Sequence, residues 1–462
     1  MPDQLRADAL GCAGNPAIRT PNIDHIAREG VLFTHAYTVC PICMPARASF
    51  VDGLYPHNHR MWTNAGSLSP ADETLFHHLQ AHGYFVAYIG KSHFYPHKRG
   101  DHLRHHEDYM RARGIDYVHE TTGPWATLYT DSYMTDEWQE RGLLTAFRDD
   151  YKRRRATGPC AVWPSPLPTD AFLDSYIGRQ AVAFIRSYEG RRPLCLFVGF
   201  GGPHEPWDAP EDYATMYDPE TMPEAIPPEE TPEWAPPYAA QRAREGRIEA
   251  MTDEDIRRIR ANYYGKISLI DRWIGEILDA LADRGWLDET MIIFWSDHGE
   301  MAGDHSRLHK SVFYESSVHV PLIIRHPEIS GGRTIPALVE IIDVFPTLLD
   351  AIGAPSSSRC MGQSLWPILR GETVSHRDQV LSEIYAFGCY NYMIRTPRYK
   401  YAMDGDGQGY MLFDLEADPL EQRNLLGHPD ARDIEEDLKI RLLHAITSCQ
   451  TRFAPDGGEE VR

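Results

Sequence analysis

Residues 39–50 read Val-Cys-Pro-Ile-Cys-Met-Pro-Ala-Arg-Ala-Ser-Phe, and this stretch places a thiol where a helix is about to begin. Pro45 suits the first helical turn, where its missing N–H is no loss, and Gly53 suits the left-handed residue that closes a helix. Cys43 is therefore expected at a helix N-terminus, where free N–H groups and the helix dipole favour an anion. Arg47 adds a positive charge one turn further on. A thiol in this setting is a better nucleophile than a free one.

Two other interpretations of Cys43 stay open at this point. An isolated cysteine on a helix is more often a small buried hydrophobe than a nucleophile. Cys40-x-x-Cys43 also has the spacing of a redox dithiol pair. Cys40 lacks the x-Pro-x-Arg that follows Cys43, which makes it the weaker candidate for a nucleophile. The remaining cysteines stand at irregular spacings without a repeated zinc-type CxxC: Cys12, Cys160, Cys195, Cys360, Cys389 and Cys449.

The composition and net charge of the chain limit the kinds of molecule that it can bind. The chain has 462 residues, 42% of them hydrophobic and 24% charged, as is ordinary for a soluble globular protein. Its formal net charge of −21 argues against binding to nucleic acid or to an anionic membrane surface. An anionic substrate must therefore be attracted by a local cluster of positive groups. No apolar run approaches the ~18 residues of a membrane span, and the N-terminus has no basic-then-apolar secretion pattern. The chain as written is therefore predicted to be cytoplasmic.

Helices and strands alternate along most of the chain. The strands are predicted at Val31–Tyr37, Tyr84–Ile89, Pro193–Phe200 and Met291–Trp295. The helices are predicted at 20–30, from Ser69-Pro70 to Gly83, at 169–188 and, with a capping box at Thr252 and Asp255, at 252–285. This alternation predicts an α/β fold with a large mixed, mainly parallel sheet flanked by helices.

The predicted pattern of secondary structure changes near residue 376. Short antiparallel strands and a closing helix near 432–447 are predicted beyond that point. We therefore expect a catalytic domain at 1–375 and a small C-terminal α+β subdomain with an antiparallel sheet at 376–462. Residues 95–168 lack clear periodicity, and 205–250 is a long Pro- and Glu-rich loop. Both are predicted as insertions that shape the substrate pocket.

Two pairs of polar residues are candidates for a metal site. Asp3-Gln4 and Asp297-His298 stand directly after a strand or where one is expected. Carboxylates at the ends of neighbouring strands supply the convergent oxygen ligands that a divalent cation needs. The alternative is that Asp-His before a glycine is simply a turn. A nitrogen ligand from His298 favours manganese or another transition metal over calcium.

Basic residues follow the same strand ends. Lys91 and His93 come after the strand at 84–89, with a spacing that places both on one face. His204 follows Gly-Gly-Pro after the next predicted strand, and Lys310 ends the segment Gly-Asp-His-Ser-Arg-Leu-His-Lys. Exposed Lys and His at a strand end are usually just solvated. If these residues converge, they supply the fixed positive charge and the proton donor that departure of an anionic group requires.

The pattern Cys43-x-Pro-x-Arg47, followed by Ala-Ser and by Gly53-x-Tyr-Pro-His57, resembles the signature of the formylglycine-dependent sulfatases and of the related phosphonate monoester hydrolases. Both belong to the alkaline phosphatase superfamily, whose fold the chain is therefore expected to share. In that family the cysteine is oxidised to formylglycine, whose hydrated aldehyde attacks sulfur or phosphorus. The resemblance spans nearly the whole chain and is weak only in the two predicted insertions.

The resemblance also implies roles for individual residues. Lys91 would bridge the nucleophile and the sulfate, Asp297 would take the proton of the attacking hydroxyl, and His93 would collapse the hemiacetal that follows. His204 is the expected proton donor, and Asn64 matches a substrate-contacting residue of the phosphonate hydrolases. The resemblance also implies four metal ligands: Asp3, Gln4, Asp297 and His298. The further catalytic residues are Cys43, Arg47 and Lys310. Substrate would be bound by Asn64, Lys91, His204 and Lys310.

A sulfuric ester hydrolase is the function favoured by this resemblance, since Lys91-x-His93 is a sulfatase motif. The alternative is a phosphonate monoester or phosphodiester hydrolase, favoured by Gln4, His298, Asn64 and Ala46. A third alternative is a binding module whose Cys43 is never oxidised. The implied cofactors are formylglycine at residue 43 and one divalent cation, for which the family favours calcium over manganese or magnesium.

The implied partners are a small-molecule or saccharide sulfate ester and a formylglycine-generating enzyme, and a homo-oligomer stays open. Family members have a hydrophobic strand before the residue that corresponds to Asp3, whereas here only Met1 and Pro2 precede it. Either the start is misassigned or the chain is truncated, with the loss of a central strand or a signal, and the terminus is predicted to be loosely held.

Overall fold

The computed structural model describes residues 1–69, 72–355 and 357–449. Within these ranges the strands are β1 (Val31–Tyr37), β2 (Phe85–Lys91), β3 (Tyr117–Thr121), β4 (Leu194–Gly199), β5 (Ile292–Trp295), β6 (His319–Arg325), β7 (Arg333–Glu340), β8 (Val380–Ala386), β9 (Cys389–Arg395), β10 (Tyr399–Asp404) and β11 (Gly409–Asp414). The helices are α1 (Pro21–Glu29), α2 (Cys43–Asp52), α3 (Pro56–His59), α4 (Leu75–Ala81), α5 (Glu107–Arg111), α6 (Tyr133–Glu140), α7 (Leu144–Thr157), α8 (Leu173–Ser187), α9 (Pro237–Arg242), α10 (Asp253–Asp283), α11 (Glu315–Val318), α12 (Val344–Ala351), α13 (Trp366–Leu369) and α14 (Arg432–Ser448).

The strands of the first 340 residues form two sheets. One has the order β5-β6-β1-β7 and the other the order β3-β2-β4. β2 pairs in parallel with both β3 and β4, and β1 pairs in parallel with β7, whereas β6 is antiparallel to β1 and β5. Helices cover these sheets. The α/β class with a mixed, parallel-rich sheet is confirmed.

Residues 95–168 are more regular than their sequence indicates. They contain β3, which extends the second sheet, and the helices α5, α6 and α7. Trp138 of α6 and Phe147 of α7 are buried against each other, with ring centroids 4.7 Å apart. The apolar positions are interspersed with Arg, Asp and Glu, which hides their periodicity. These regular elements were not predicted from the sequence.

The long amphipathic helix was predicted correctly from its apolar spacing. In α10, Thr252 caps the N-terminus, and its Oγ1 accepts a hydrogen bond from the backbone N–H of Asp255 at 3.1 Å. Ile259, Ile267 and Ile270 of this helix are buried in the core. α10 packs against α8, and α8 packs against β2 and β4 of the second sheet.

Helix α2 begins at Cys43, as expected. Ile42 before it is extended, and Gly53 after it has φ of 71°, with its N–H bonded to the Ser49 carbonyl at 2.9 Å. The left-handed backbone at this position is one that glycine adopts without steric cost. The next predicted helix starts later than expected, at Leu75 with Thr74 as its N-cap, and Pro70 lies outside the described residues.

The C-terminal part forms an antiparallel sheet of the order β11-β10-β9-β8, against which α14 packs through Leu438 and Leu442. The backbone N–H of Glu383 in β8 donates to the Val39 carbonyl at 2.8 Å. This bond attaches the small sheet to the segment that leads into Cys43. Residues 450–462 of the predicted subdomain lie outside the described residues.

The first residues of the chain are firmly held, so the expectation of a loose terminus is wrong. The amino group of Met1 donates to the Val198 carbonyl at 2.9 Å, and the Phe200 N–H donates to the Met1 carbonyl at 2.9 Å. The Asp3 N–H donates to the Gly202 carbonyl at 2.9 Å. These bonds run along the carboxyl end of β4 and fix the backbone of Asp3. Among the described residues, no helix is both long and apolar enough to cross a membrane.

Candidate active site

The thiol of Cys43 lies in a buried cluster of ionisable groups. Its Sγ is 3.1 Å from Nε2 of His298 and 3.7 Å from Oδ1 of Asp3. Asp3, Cys43, Asp297 and His298 each offer an atom within 4.8 Å of the others, and all four residues are buried. The chain brings them together from the N-terminus, the start of α2 and the loop after β5. The predicted pairs Asp3-Gln4 and Asp297-His298 therefore do meet at one place.

Arg47 holds the two carboxylates of this cluster. Its Nε donates to Oδ2 of Asp297 at 2.8 Å, and its Nη2 is 3.2 Å from Oδ2 of Asp3. Its Nη1 donates to the Lys91 carbonyl at 2.7 Å. The guanidinium is thus occupied by protein groups rather than facing an open anion site. Its helical spacing from Cys43 places it near the thiol, but its role in the structure is to bind the acidic side chains.

Two lysines bring positive charge to the thiol. Nζ of Lys91, at the end of β2, donates to Oδ2 of Asp3. Nζ of Lys310 donates to Oε1 of Gln4 and lies 2.7 Å from Nε2 of His204. Burial raises the pKa of the Cys43 thiol, but the charges of Lys310, Lys91 and His298 outweigh burial and hold that pKa well below its ordinary value. The thiol site therefore favours an anion.

His298 is oriented as a ligand. Its Nδ1 lies 3.0 Å from the Gly299 carbonyl and donates to it, so Nε2 faces Asp3 and Asp297 at 3.8 and 3.9 Å. Burial lowers the pKa of His298, but the charges of Asp297 and Cys43 raise it to about 8. A histidine whose second nitrogen is fixed by a backbone carbonyl is the usual arrangement of a metal ligand.

The donor set fits a divalent cation. Two buried carboxylates and an imidazole nitrogen converge, and buried carboxylates require positive charge beside them. Arg47 and Lys91 supply part of that charge. Gln4 is less suited as it stands, because its Oε1 accepts from Lys310, while its Nε2 donates to Glu205 at 2.8 Å and also to Glu300. Asp3, Asp297 and His298 thus lie together in positions that could hold a cation, and Gln4 lies beside them.

His93 lies next to the thiol but outside the strand. β2 ends at Lys91, and His93 has φ of 58°, so the expected alternation with Lys91 on one face does not apply. Burial lowers the pKa of His93 to about 4, and a hydrogen bond to Cys43 acts in the opposite direction. Its Nδ1 is buried without a hydrogen-bond partner among the described residues. A left-handed histidine is uncommon and is often found at a functional site.

Asn64 lies at the N-terminus of α2, the helix that begins at Cys43. Its Oδ1 accepts from the backbone N–H of Met44 at 3.0 Å, so the side chain caps α2, and the residue is exposed. The predicted site residues Cys43, Asn64, Lys91, His93, His204 and Lys310 are therefore all gathered around the N-terminus of one helix or joined to it through hydrogen bonds.

Three further residues were not predicted from the sequence. Glu205, Glu300 and His309 form a second group with ligand atoms within 4.8 Å of one another. Glu205 and Glu300 both accept from Gln4, and Nδ1 of His309 lies 3.3 Å from Oε1 of Glu205. Burial raises the pKa of Glu205, but His204, His309 and Lys310 lower it well below its ordinary value. Their sequence signals are the positions of Glu205 beside His204, of Glu300 two residues after His298 and of His309 beside Lys310.

Two family models match the chain. Residues 1–354 match the model described as Sulfatase. Residues 303–448 match the model described as N-sulphoglucosamine sulphohydrolase, C-terminal. The first covers both proposed ligand pairs, and the second covers the antiparallel sheet and α14.

Individual proteins are similar over nearly the whole chain. An arylsulfatase of Clostridium perfringens is 30% identical over 482 residues, spanning 100% of this chain and 96% of that protein. A choline-sulfatase of Rhizobium meliloti is 31% identical over 446 residues, spanning 93% and 82%. The structure of a phosphonate monoester hydrolase of Agrobacterium radiobacter superposes with a TM-score of 0.78 at 27% identity, covering 97% of this chain and 94% of the other.

Proposed function

The chain belongs to the sulfatase family and is a sulfuric ester hydrolase, and we propose that it cleaves sulfate monoesters at the cluster around Cys43. The observation that carries this proposal is the environment of the thiol. Cys43 begins a helix, is buried, and lies between the cations Lys91, Lys310 and His298. Preorganised positive charge in a dry site stabilises the negative charge that develops as a sulfate ester is cleaved.

The family implies a divalent metal and a formylglycine, and residues of the cluster around Cys43 would provide both sites. Asp3, Asp297 and His298 would hold the cation, with Gln4 as the fourth ligand. Calcium is the ion favoured by the family, and the imidazole ligand favours manganese. When present, the cation supplies positive charge to the sulfate oxygens and formylglycine supplies the hydroxyl nucleophile. A formylglycine-generating enzyme would be the partner that oxidises Cys43.

Side chains of the protein would bind the sulfate and transfer the protons. Lys91 and Lys310 would hold the sulfate oxygens, since both ammonium groups point into the cluster. Asp297, which offers an oxygen within 4.8 Å of the thiol, would accept the proton of the attacking hydroxyl, and His93, which hydrogen-bonds the thiol, would accept one later. His204, next to Lys310, would give a proton to the departing oxygen.

The organic part of the ester would be selected outside this cluster. We propose residues 1–375 as the catalytic domain and 376–462 as the C-terminal subdomain, with 95–168 and 205–250 shaping the pocket. Asn64, exposed at the N-terminus of α2, would contact the substrate there. A panel of aryl sulfates, sulfated sugars and choline sulfate would define the preferred alcohol.

Phosphonate monoester hydrolysis is a second candidate activity. Gln4, His298 and Asn64 favour it, as does the structural similarity to a phosphonate monoester hydrolase at 27% identity. The ammonium of Lys91 in the buried cluster opposes it, because the phosphonate hydrolases have neutral polar groups at that position.

The test is to compare 4-nitrophenyl sulfate with a matched 4-nitrophenyl phosphonate ester, using protein matured with a formylglycine-generating enzyme. We expect kcat/KM to be higher for the sulfate by at least about 10-fold, since one reaction is selected over another by differential transition-state binding. Peptide mass spectrometry of residue 43 reports maturation independently. A preference for the phosphonate would overturn the proposal, and mature protein without turnover of either ester or of any sulfate ester in the panel would refute both activities.

A further inference from the structure

His204 has its Nδ1 facing the residue that follows it in the chain. Nδ1 lies 2.8 Å from the backbone carbonyl of Glu205 and 3.0 Å from Oε2 of the same residue. Both groups are acceptors, so the ring proton of neutral His204 resides on Nδ1. Nε2 is left to face Lys310, whose Nζ is 2.7 Å away and donates to it. Glu205 thereby determines which nitrogen of His204 faces the reaction site.

The protonated form of His204 needs a counter-charge. With a proton on Nε2, the imidazolium would stand beside the ammonium of Lys310, and like charges at such a distance disfavour each other. Within the described part of the chain, Glu205 is the acidic residue whose carboxylate lies within 4.0 Å of both cations: 3.0 Å from His204 Nδ1 and 4.0 Å from Lys310 Nζ. Its negative charge offsets that repulsion.

The carboxylate of Glu205 is itself fixed. Oε2 accepts from Nε2 of Gln4 at 2.8 Å, and Oε1 lies 3.3 Å from Nδ1 of His309. The side chain is 13% exposed, so little water competes for it. A carboxylate held in place by its own partners can orient an imidazole without losing side-chain entropy in each turnover.

We propose that Glu205 is a positioning residue for leaving-group protonation, a role that rests on the proposed sulfate ester hydrolysis. It keeps Nδ1–H of His204 bonded so that Nε2 carries the proton that is transferred. As the S–O bond to the departing oxygen breaks, its electron pair stays on that oxygen. The Nε2–H bond breaks, the proton moves to the oxygen, and His204 is left neutral with its proton on Nδ1.

A rival role for Glu205 is support of Gln4, which it also contacts. Glu300 separates the two roles, because it accepts from the same Nε2 of Gln4. The Glu300 carboxylate also accepts from the backbone N–H groups of Ala302 at 2.8 Å and His309 at 2.6 Å. Glu300→Gln is therefore a matched control that alters the surroundings of Gln4 and leaves the carboxylate beside His204 in place.

The experiment compares phenyl sulfate with 4-nitrophenyl sulfate, whose leaving group is far more acidic and needs less help from a proton. General acid catalysis contributes about 10²- to 10⁴-fold, so a residue that positions the acid should account for a part of it. For Glu205→Gln we expect kcat/KM to fall about 30-fold with phenyl sulfate and less than about 3-fold with 4-nitrophenyl sulfate. Glu205→Asp, which keeps the charge, should recover part of the phenyl sulfate loss. Glu300→Gln should affect both substrates equally.

Metal content and melting temperature are measured on each variant, because a merely structural role would change them and would not discriminate between leaving groups. Equal losses on the two substrates for Glu205→Gln, or the same discrimination in Glu300→Gln, would overturn the proposal. If Glu205→Gln does not fold, the Brønsted slope of Glu205→Ala across substituted phenyl sulfates decides: a slope equal to that of the wild type refutes the role. Wild-type protein inactive on both esters and on the whole panel of sulfate esters would instead refute the proposed function.

Discussion

Arg47 donates from Nε to Oδ2 of Asp297 at 2.8 Å, and both side chains are almost completely removed from solvent. The pair joins helix α2 to the loop after β5. The same guanidinium reaches Asp3 and the Lys91 carbonyl, so it connects the chain start and the end of β2 as well. Four segments distant in sequence are thus held around the thiol by one side chain.

Arg47→Met is expected to destabilise the protein strongly. It keeps most of the side-chain volume but leaves the buried carboxylates of Asp3 and Asp297 without their guanidinium, which costs about 3–5 kcal/mol. Urea unfolding measures the loss of free energy of unfolding. Arg370→Met is the control, because the Arg370 side chain is 57% exposed. A loss for Arg47→Met as small as that of the control would show that the ion pairs contribute little.

Cys43→Ala should abolish turnover, whereas Cys40→Ala should retain most of it. Cys43 lies among the cations of the site, while Cys40 is buried among apolar residues and burial raises the pKa of its thiol well above the ordinary value. Steady-state kinetics on 4-nitrophenyl sulfate measure the effect. Peptide mass spectrometry should find the aldehyde at residue 43 in the wild type and in Cys40→Ala. Comparable loss in both variants would indicate a dithiol role for the pair.

Much of the fold could be predicted from the spacing of apolar residues in the sequence. β1, β4, β5 and α10 were predicted because their apolar residues form runs or recur at helical spacing. β3 was missed because Tyr117–Thr121 mixes polar and apolar residues at the edge of its sheet. A polar residue is tolerated at an edge, where one face or one side meets solvent, so the local signal is weak.

The candidate site was predictable as a set of residues but not as a set of contacts. Motifs placed Cys43 and Asp297 at element ends, and strand order brings such ends together. The role of Arg47 was not predictable, since Asp297 is 250 residues away in sequence. Glu205 and Glu300 carry no motif, and their proximity to Gln4 exists only in the folded chain.

Asp297→Asn should lower kcat/KM by more than about 10²-fold, because it removes a ligand charge and the expected proton acceptor together. Added metal should not restore the activity. In the wild type, Ca²⁺ or Mn²⁺ should raise the melting temperature, since a ligand that binds only the native state stabilises it. The variant should show a smaller rise. Wild-type activity that survives exhaustive chelation would contradict the metal assignment.

Asp304 should make stability depend on pH in the acid range. Burial raises the pKa of Asp304, but Arg6 and Arg260 outweigh it and lower the pKa to about 2. This native pKa lies below that of an unfolded Asp, ~3.9. The contribution to the free energy of unfolding is therefore complete above pH ~4 and is lost as the pH falls through about 2.

Asp304→Asn removes this titration, so the difference in free energy of unfolding between wild type and variant should shrink by about 2 kcal/mol between about pH 6 and about pH 2. Urea unfolding across that range measures it. Asp288→Asn is the control, because the Asp288 side chain is 97% exposed. A difference that does not change with pH would show that the Asp304 carboxylate is not held by the two arginines.

Gly90→Ala should displace Lys91 and thereby lower the catalytic activity. Gly90 has φ of 101°, and a Cβ there would overlap the backbone carbonyl oxygen of Gly199, its partner in β4. Backbone atoms cannot move aside as the end of a flexible side chain can, so β2 and β4 must separate just before Lys91.

Gly83→Ala is the matched control, because Gly83 has φ of 86° with open space around its Cβ position. The control should cost only the left-handed penalty of about 1–2 kcal/mol and keep its kcat/KM. Gly90→Ala should lose more stability in thermal unfolding and most of its turnover, and equal effects at the two positions would mean that close strand packing at Gly90 does not position the lysine.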